Sequence, residues 1–412
     1  EPGELNLKDL NLTSGNNNLN GSLELLGVNK SFKDFKSRGI VRIEVLNSNW
    51  NLSTLFPESK NLESIPAINA SFITQGELSA LEFSKLEISN SFLDFQGRLK
   101  GINILDPNDL SMELSIDSLL IKTQELQPIT FISSKIKKQL KQVEYINFRG
   151  TSLISNHSID FNLNSKNSWG NFSMIGDLGN GIFHKIKSVK TFSVNADFVD
   201  LELSRWISKK SVFRLGGSLS ANGDFSDKEN PTFIWKVNNS SISSKKIFIS
   251  DIAIEGRVKE NQLRNTLSIN SESINLKSDV LYNYNIDVPE TTLLVNIEKW
   301  DLNTMGFVTG DGKKEFKGVI SSNTKGDSFE MMRGNIKISS ASLKNKIETL
   351  RFNPISITHE SINNTNHLSI VNSDCIEGEA KGNFKITELG ALFQSSFHKV
   401  YPFIPTKKVS NG

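Results

Sequence analysis

The sequence predicts an all-β protein: an elongated, repetitive, mostly antiparallel sheet rolled into an open trough with an apolar interior, accompanied by two short amphipathic helices. Three observations predict it. Apolar residues alternate with polar ones at period two in runs that recur about every 10 to 14 residues, separated by Gly, Asn, Asp or Ser; this spacing puts every second side chain on one face of a strand. The composition opposes helix, with 54 Ser and 45 Asn against nine Ala in 412 residues, because Ser and Asn compete with the helical backbone and Ala is the best helix former. A glycine-bounded phrase also recurs at unequal intervals, which favours a degenerate array of strands over short superhelical repeats.

The strands follow in order. Leu5, Leu7, Leu10 and Leu12 open the chain in a strand-like pattern. The first phrase, Gly21-Ser-Leu23-Glu-Leu25-Leu-Gly27, places two leucines on one face. Val41, Ile43 and Val45 alternate with Arg42 and Glu44, and Leu114 and Ile116 lie in the run from Met112 to Leu120. Ile159, Phe161 and Leu163 then alternate with Asp160, Asn162 and Asn164. Phe192, Val194, Ala196 and Phe198 do the same with Ser193, Asn195 and Asp197. Leu293, Val295 and Ile297 form another run, and Ile336 and Ile338 flank Lys337. The phrase returns at Gly170 to Gly176 and Gly217 to Gly223, and in shortened form at Gly378 to Phe384. Glycine inside a strand pattern marks a bulge or a close backbone approach, and repetition bends a long sheet in one sense.

Two stretches depart from period two. Ser133 to Tyr145 places Ile136, Leu140 and Val143 at helical spacing behind a serine N-cap. Thr387 to Tyr401 does so with Leu389, Leu392, Phe393, Phe397 and Val400, before Pro402 and Pro405. The expected organisation is one continuous array: a first trough segment over 1–132, a short helix over 133–146, a second trough segment over 147–386, and a C-terminal helix and tail over 387–412. Glu1-Pro2-Gly3 carries no basic or apolar leader, and no run approaches the 18 to 20 apolar residues of a membrane span. The chain reads as an excerpt of a longer protein.

So many half-buried strands raise the question of what covers their apolar faces. A sandwich packs two sheets together in units joined by linkers, and no clear linker is visible. One sheet rolled lengthwise, of roughly 30 to 40 strands and about 100 to 180 Å, leaves an apolar interior instead. The lining candidates are the alternating residues Leu23, Leu25, Val41, Val45, Leu114, Ile116, Ile159, Phe161, Leu163, Phe192, Val194, Phe198, Leu293, Val295 and Ile336.

Other chemistries are poorly served. The net charge of +2 gives no electrostatic footprint for nucleic acid. Cys375 is the sole cysteine, so disulfide frameworks and multi-thiolate metal sites are excluded. Gly310-Asp-Gly312-Lys313-Lys314 lacks the spacing of a phosphate loop and reads as a charged hairpin tip. His157, His184, His359, His367 and His398 show no metal-ligand spacing; His359 and His367, with Asp374 and Cys375, are a loose cluster read as solvent-facing polar residues. Asp197/Asp200 and Asp224/Asp227 read as turn and strand-edge acids rather than a hydrolytic pair. The expectation is a non-enzyme with no metal and no cofactor.

Three passages carry a resemblance. They are Gly97 to Leu110, with Asp106 and Asp109; Val143 to Gly150, leading into Ile159 to Leu163 and Trp169 to Phe172; and Ser373 to Phe384, leading toward Tyr401-Pro402. In texture and order they are similar to the AsmA-like family of envelope proteins. The resemblance implies a long β-trough with an apolar inner surface, in the periplasm between inner and outer membrane, with phospholipid acyl chains as cargo. It also implies assembly of outer-membrane proteins with a BamA-type barrel through regions outside this chain. A surface β-solenoid or multi-sandwich adhesin with a side-chain-filled core is the alternative expectation.

Overall fold

The computed structural model describes residues 3–383 apart from 28–38, 104–108, 180–189, 203–212, 305–313, 327–331 and short gaps at 56–57, 59, 78, 131, 135–136, 138–139, 141–142, 168, 228, 245–246, 285–286, 363–364, 372–373 and 375–376. The fold is all-β: among the described residues, 23 strands of a long, open antiparallel sheet. Fewer strands form than the 30 to 40 expected because most run to 10–12 residues, about twice the usual strand length. Among the described residues no helix is long and apolar enough to cross a membrane.

The chain divides into two compact units, residues 1–231 with 239–248 and residues 232–238 with 249–412. The first holds β1 (Glu4–Ser14), β2 (Asn17–Leu26), β3 (Ile40–Trp50), β4 (Ile68–Glu77), β5 (Ala80–Ser89), β6 (Leu93–Ile102), β7 (Ser111–Lys122), β8 (Tyr145–Ser155), β9 (Ser158–Asn167), β10 (Gly170–Gly179), β11 (Thr191–Glu202) and β12 (Arg214–Asp224). Each pairs antiparallel with the next. The strand β13 (Thr232–Ser243) gives residues to both units. The second unit continues with β14 (Phe248–Lys259), β15 (Gln262–Asn270), β16 (Ile274–Asn283), β17 (Glu290–Asp301), β18 (Glu315–Lys325), β19 (Arg333–Lys344), β20 (Thr349–Arg351), β21 (Ile355–Ile362), β22 (Thr365–Val371) and β23 (Gly378–Gly382). There β19 pairs with both β20 and β21, and the rest pair in sequence.

Sequential pairing follows from short polar turns. In the β14–β15 hairpin Glu260 and Asn261 both adopt positive φ, 51° and 59°, the primed-turn geometry whose twist matches that of the flanking strands. The longer β7–β8 connection interrupts no pairing, since Ser111 to Lys122 still meets Tyr145 to Ser155. Within it Ser134, Lys137 and Leu140 are helical, as the spacing predicts, and Lys137 N donates to Ser133 O at 3.0 Å. The expected C-terminal helix lies outside the described residues.

A line of bulges crosses the first unit. The register shifts after Leu7 in β1, Val45 in β3, Phe83 in β5, Ile116 in β7 and Phe198 in β11, always on odd-numbered strands. Even-numbered neighbours often answer with glycine: Gly21 faces Val45, Gly97 and Gly150 both face Ile116, and Gly217 faces Phe198. The second unit repeats the device, with a shift after Ile297 of β17 opposite Gly318 of β18. A bulge bends its strand and sharpens the twist, and the glycine lets the neighbouring backbone close up. Gly150 shows why: φ is +148°, and a Cβ there would lie 2.9 Å from the carbonyl carbon of Asn162 and 3.0 Å from Leu163 Cα.

Candidate functional site

Residues paired across antiparallel strands point to the same face, so the pairings trace rows across the sheet. In the first unit one row runs Leu25, Val41, Gly76, Leu81, Gly101, Met112, Ile154, Ile159, Leu178 and Phe192. Beside it run Leu23, Ile43, Thr74, Phe83, Leu99, Leu114, Ser152, Phe161, Gly176 and Val194. A third contains Val45, Phe72, Leu86, Gly97, Ile116, Gly150, Leu163 and Met174. These rows hold no charged residue. The opposite face reads Glu24, Arg42, Gln75, Glu82, Lys100, Glu113, Leu153 and Asp160.

Every lining candidate from Leu23 to Val194 thus falls on one face of the first unit, and Phe198 joins it in a fourth row with Phe172 and Gly217. In the second unit Leu293 and Ile336 share the row Val280, Leu293, Ser322, Ile336, Ile357 and Ile370. Val295 lies in the adjoining row of Leu267, Ser278, Val295, Ile320 and Ile338. The alternation also misses members. In β5 the bulge after Phe83 carries Leu86 back to the apolar face one residue late, so its sequence loses the period.

The apolar face is textured. Small residues lie beneath large ones: the Phe161 ring covers Gly176, where a Cβ would lie 2.8 Å from Cζ, and Phe192 pairs with Gly223. Phe72 and Phe83 meet at 5.6 Å between ring centroids, and Phe148 and Phe172 edge to face at 5.8 Å. Toward the fourth row the surface is covered. Val143, Trp169 and Leu201 form a buried cluster against Ile146, Phe172, Phe198 and Leu215. The connection after β7 also buries Leu126 and Ile129, and Trp169 Nε1 donates to Tyr145 O at 3.4 Å. Elsewhere most of the rows stay half-buried.

The opposite face carries cross-strand ion pairs, among them Arg42–Glu24 at 3.0 Å, Lys122–Asp94 at 2.9 Å and Arg264–Asp279 at 2.7 Å. All are solvent-exposed and contribute little individually.

The polar clusters do not converge. His359 pairs with Leu368 and His367 with Glu360, so the two imidazoles occupy opposite faces. His359 is not solvent-facing as expected: it is buried on the apolar side, with Nδ1 at 2.5 Å from Met332 O. It lies there because His359 pairs with Gly334, two residues from Ile336 on β19, which puts it on the same face as Ile336 and Ile357. Asp374 accepts from Asn353 N and Nδ2, both at 2.6 Å, while Cys375 and the 310–313 tip lie outside the described residues. Among the described residues no group of three or more His, Cys, Asp or Glu is placed to hold a metal ion. Asp224 and Asp227 are turn acids. The Ser226 hydroxyl and amide hold the Asp224 carboxyl below its ordinary range. The Glu229 amide, then the Asn230 side chain and amide, do so for Asp227.

No protein-family model, no curated protein and no solved structure matches this sequence.

Proposed function

We propose that this chain is part of a periplasmic bridge of the AsmA-like kind, akin to a translocation and assembly module subunit, that conducts phospholipid between inner and outer membrane. The observation that carries the proposal is the uncharged face that follows β2 to β11, which among the described residues stays half-buried across most of its rows. Each acyl methylene taken from water onto that face contributes about 0.8 kcal/mol. The headgroup stays at the open side, where its polar atoms keep their water. Passive solvation needs many similar weak positions and no deep one, and rows of leucine, isoleucine, valine and phenylalanine interrupted by glycine and serine supply that. No catalytic group or cofactor enters this account. Contact with a BamA-type barrel belongs, in this reading, to regions outside the chain.

Native mass spectrometry of the purified chain, with lipid analysis of its extract, tests the proposal. Several phospholipids of mixed headgroup per chain are expected. A clean apo mass, with no uptake of a fluorescent phospholipid by the folded chain, overturns it and favours the side-chain-filled interior of an adhesin.

A further inference from the structure

We propose that a hollow on the charged face of the second unit binds a phosphate group, held between Arg257 and Arg264. Arg257 of β14 and Arg264 of β15 are directly paired, and their row continues through Leu281 and Thr292. The row alternates with that of Val280 and Leu293, so it lies on the face opposite the apolar one. Like charges set opposite each other across strands destabilise a sheet. Arg264 offsets this with a carboxylate, its Nη2 lying 2.7 Å from Asp279 Oδ2 on β16. Arg257 makes no ion pair among the described residues. Glu255, two residues along on the same face, forms none with it.

The two arginines wall a hollow of about 610 Å³, within the range of small-molecule sites, and border a second of about 330 Å³. Three cations line the larger hollow, Arg257, Lys259 and Arg264, with two carboxylates, Glu260 and Asp279. Lys259 meets Glu260 at 3.1 Å and Arg264 holds Asp279, so the positive charge left over is that of Arg257. Beside the charges lie two leucines. Leu281 pairs with Arg264 and Leu294 with Asp279, and Leu294 is 49% exposed. Apolar wall and a few convergent polar groups are the mix that ligand sites use.

The pairing also selects the anion. Directly paired residues have Cβ atoms about 4.5–5.5 Å apart, so both guanidiniums can reach one small group. A carboxylate offers two oxygens, which a single guanidinium fork takes up. A phosphate monoester presents three acceptor oxygens and accepts from two forks at once. Once bound, it turns the repulsion between the arginines into a shared attraction. An apolar body carried on the phosphate would lie over Leu281 and Leu294.

Isothermal titration of the 412-residue chain, stripped of lipid, is the test. It is run at low ionic strength, since salt screens exposed charges. The probes are inorganic phosphate and dihexanoyl phosphatidic acid below its micelle-forming concentration. Inorganic phosphate should bind and raise the urea midpoint, and Arg257→Gln should raise its dissociation constant at least about tenfold. Without phosphate that variant should unfold at a midpoint no lower than the parent's, because it removes a like-charged pair. Tighter binding of phosphatidic acid, with the difference lost in Leu294→Gln, assigns the phosphate to a lipid; equal binding of the two probes assigns it to a small soluble ester. No binding of either probe at millimolar concentration, binding unchanged in Arg257→Gln, or a phosphate-free midpoint that falls in that variant overturns the proposal. Uptake of phosphatidic acid that ignores Arg257 belongs to the apolar face, so this site and the lipid-bridge reading fail separately.

Discussion

Replacing Gly150 by alanine tests whether the bulge line is held by close backbone approach. Gly150 sits in β8 opposite Ile116, where the β7 bulge begins, and also pairs with Leu163 of β9. Its φ of +148° is a conformation that L side chains rarely adopt, at a cost of about 1–3 kcal/mol. The new methyl would also press on the Asn162 carbonyl, whose carbon lies 2.9 Å from the Cβ position. That atom is backbone in a paired strand, so β9 must shift. Overpacking of this kind costs about 1–3 kcal/mol more, and lower unfolded-state entropy returns about 0.4–1 kcal/mol, which leaves a net loss of about 1–5 kcal/mol. Gly15→Asn is the control within the same unit: φ is +58° with nothing within 4 Å, and asparagine tolerates that conformation, so its change should stay within about 0.5 kcal/mol. Urea denaturation followed by far-UV circular dichroism compares the two midpoints at constant slope. Equal midpoints for Gly150→Ala and the parent would refute the close-approach account.

Phe161→Asp with Val194→Asp places two carboxylates in one row, on either side of Gly176; phospholipid uptake should fall while the circular dichroism spectrum holds, and undiminished uptake counts against the lining role. Ile129, fully buried in the β7–β8 connection, should lose about 2–5 kcal/mol on truncation to alanine, read as a lower denaturation midpoint. Asp227 should titrate below the ordinary carboxylate range because the Glu229 amide, then the Asn230 side chain and amide, favour its charged form. A depressed folded-state value means its contribution to stability is present above the unfolded carboxylate range and is lost as pH falls through the folded value. Asn230→Ala should move the NMR-detected midpoint upward, and an unmoved midpoint would show that the Asn230 amide group plays no part.

Much of the sheet was legible because most strands are amphipathic on their own. Phe161 and Leu163 alternate cleanly with Asp160 and Asn162 since β9 carries no bulge, so period two assigns their face directly. Bulged strands hide theirs: Leu81 and Phe83 lead to Leu86 and Ile88 only after an extra residue, and nothing in the run Ser84-Lys85 announces the shift. Pairing partners are also silent in the sequence. That Gly97 and Gly150, far apart in the chain, both face Ile116 follows from tertiary register alone. His359 misleads for a related reason, since the face it takes follows from its pairing with Gly334 on β19. The covering of the fourth row was half legible: Val143 stood at helical spacing, whereas Leu126 and Ile129 showed no period.

The difference between the two faces constrains what can occupy the apolar one. A face destined for a second protein layer is normally closed by knobs fitting holes, at the density of a protein interior. Here small residues recur within each row, as at Gly76, Gly101, Gly176 and Ser152, beside leucine and phenylalanine. Large and small residues thus alternate along lines that the pairing fixes, and among the described residues most of these positions stay half-buried. In the proposed reading flexible acyl chains suit such a surface, because each methylene would settle independently and no single position would dominate.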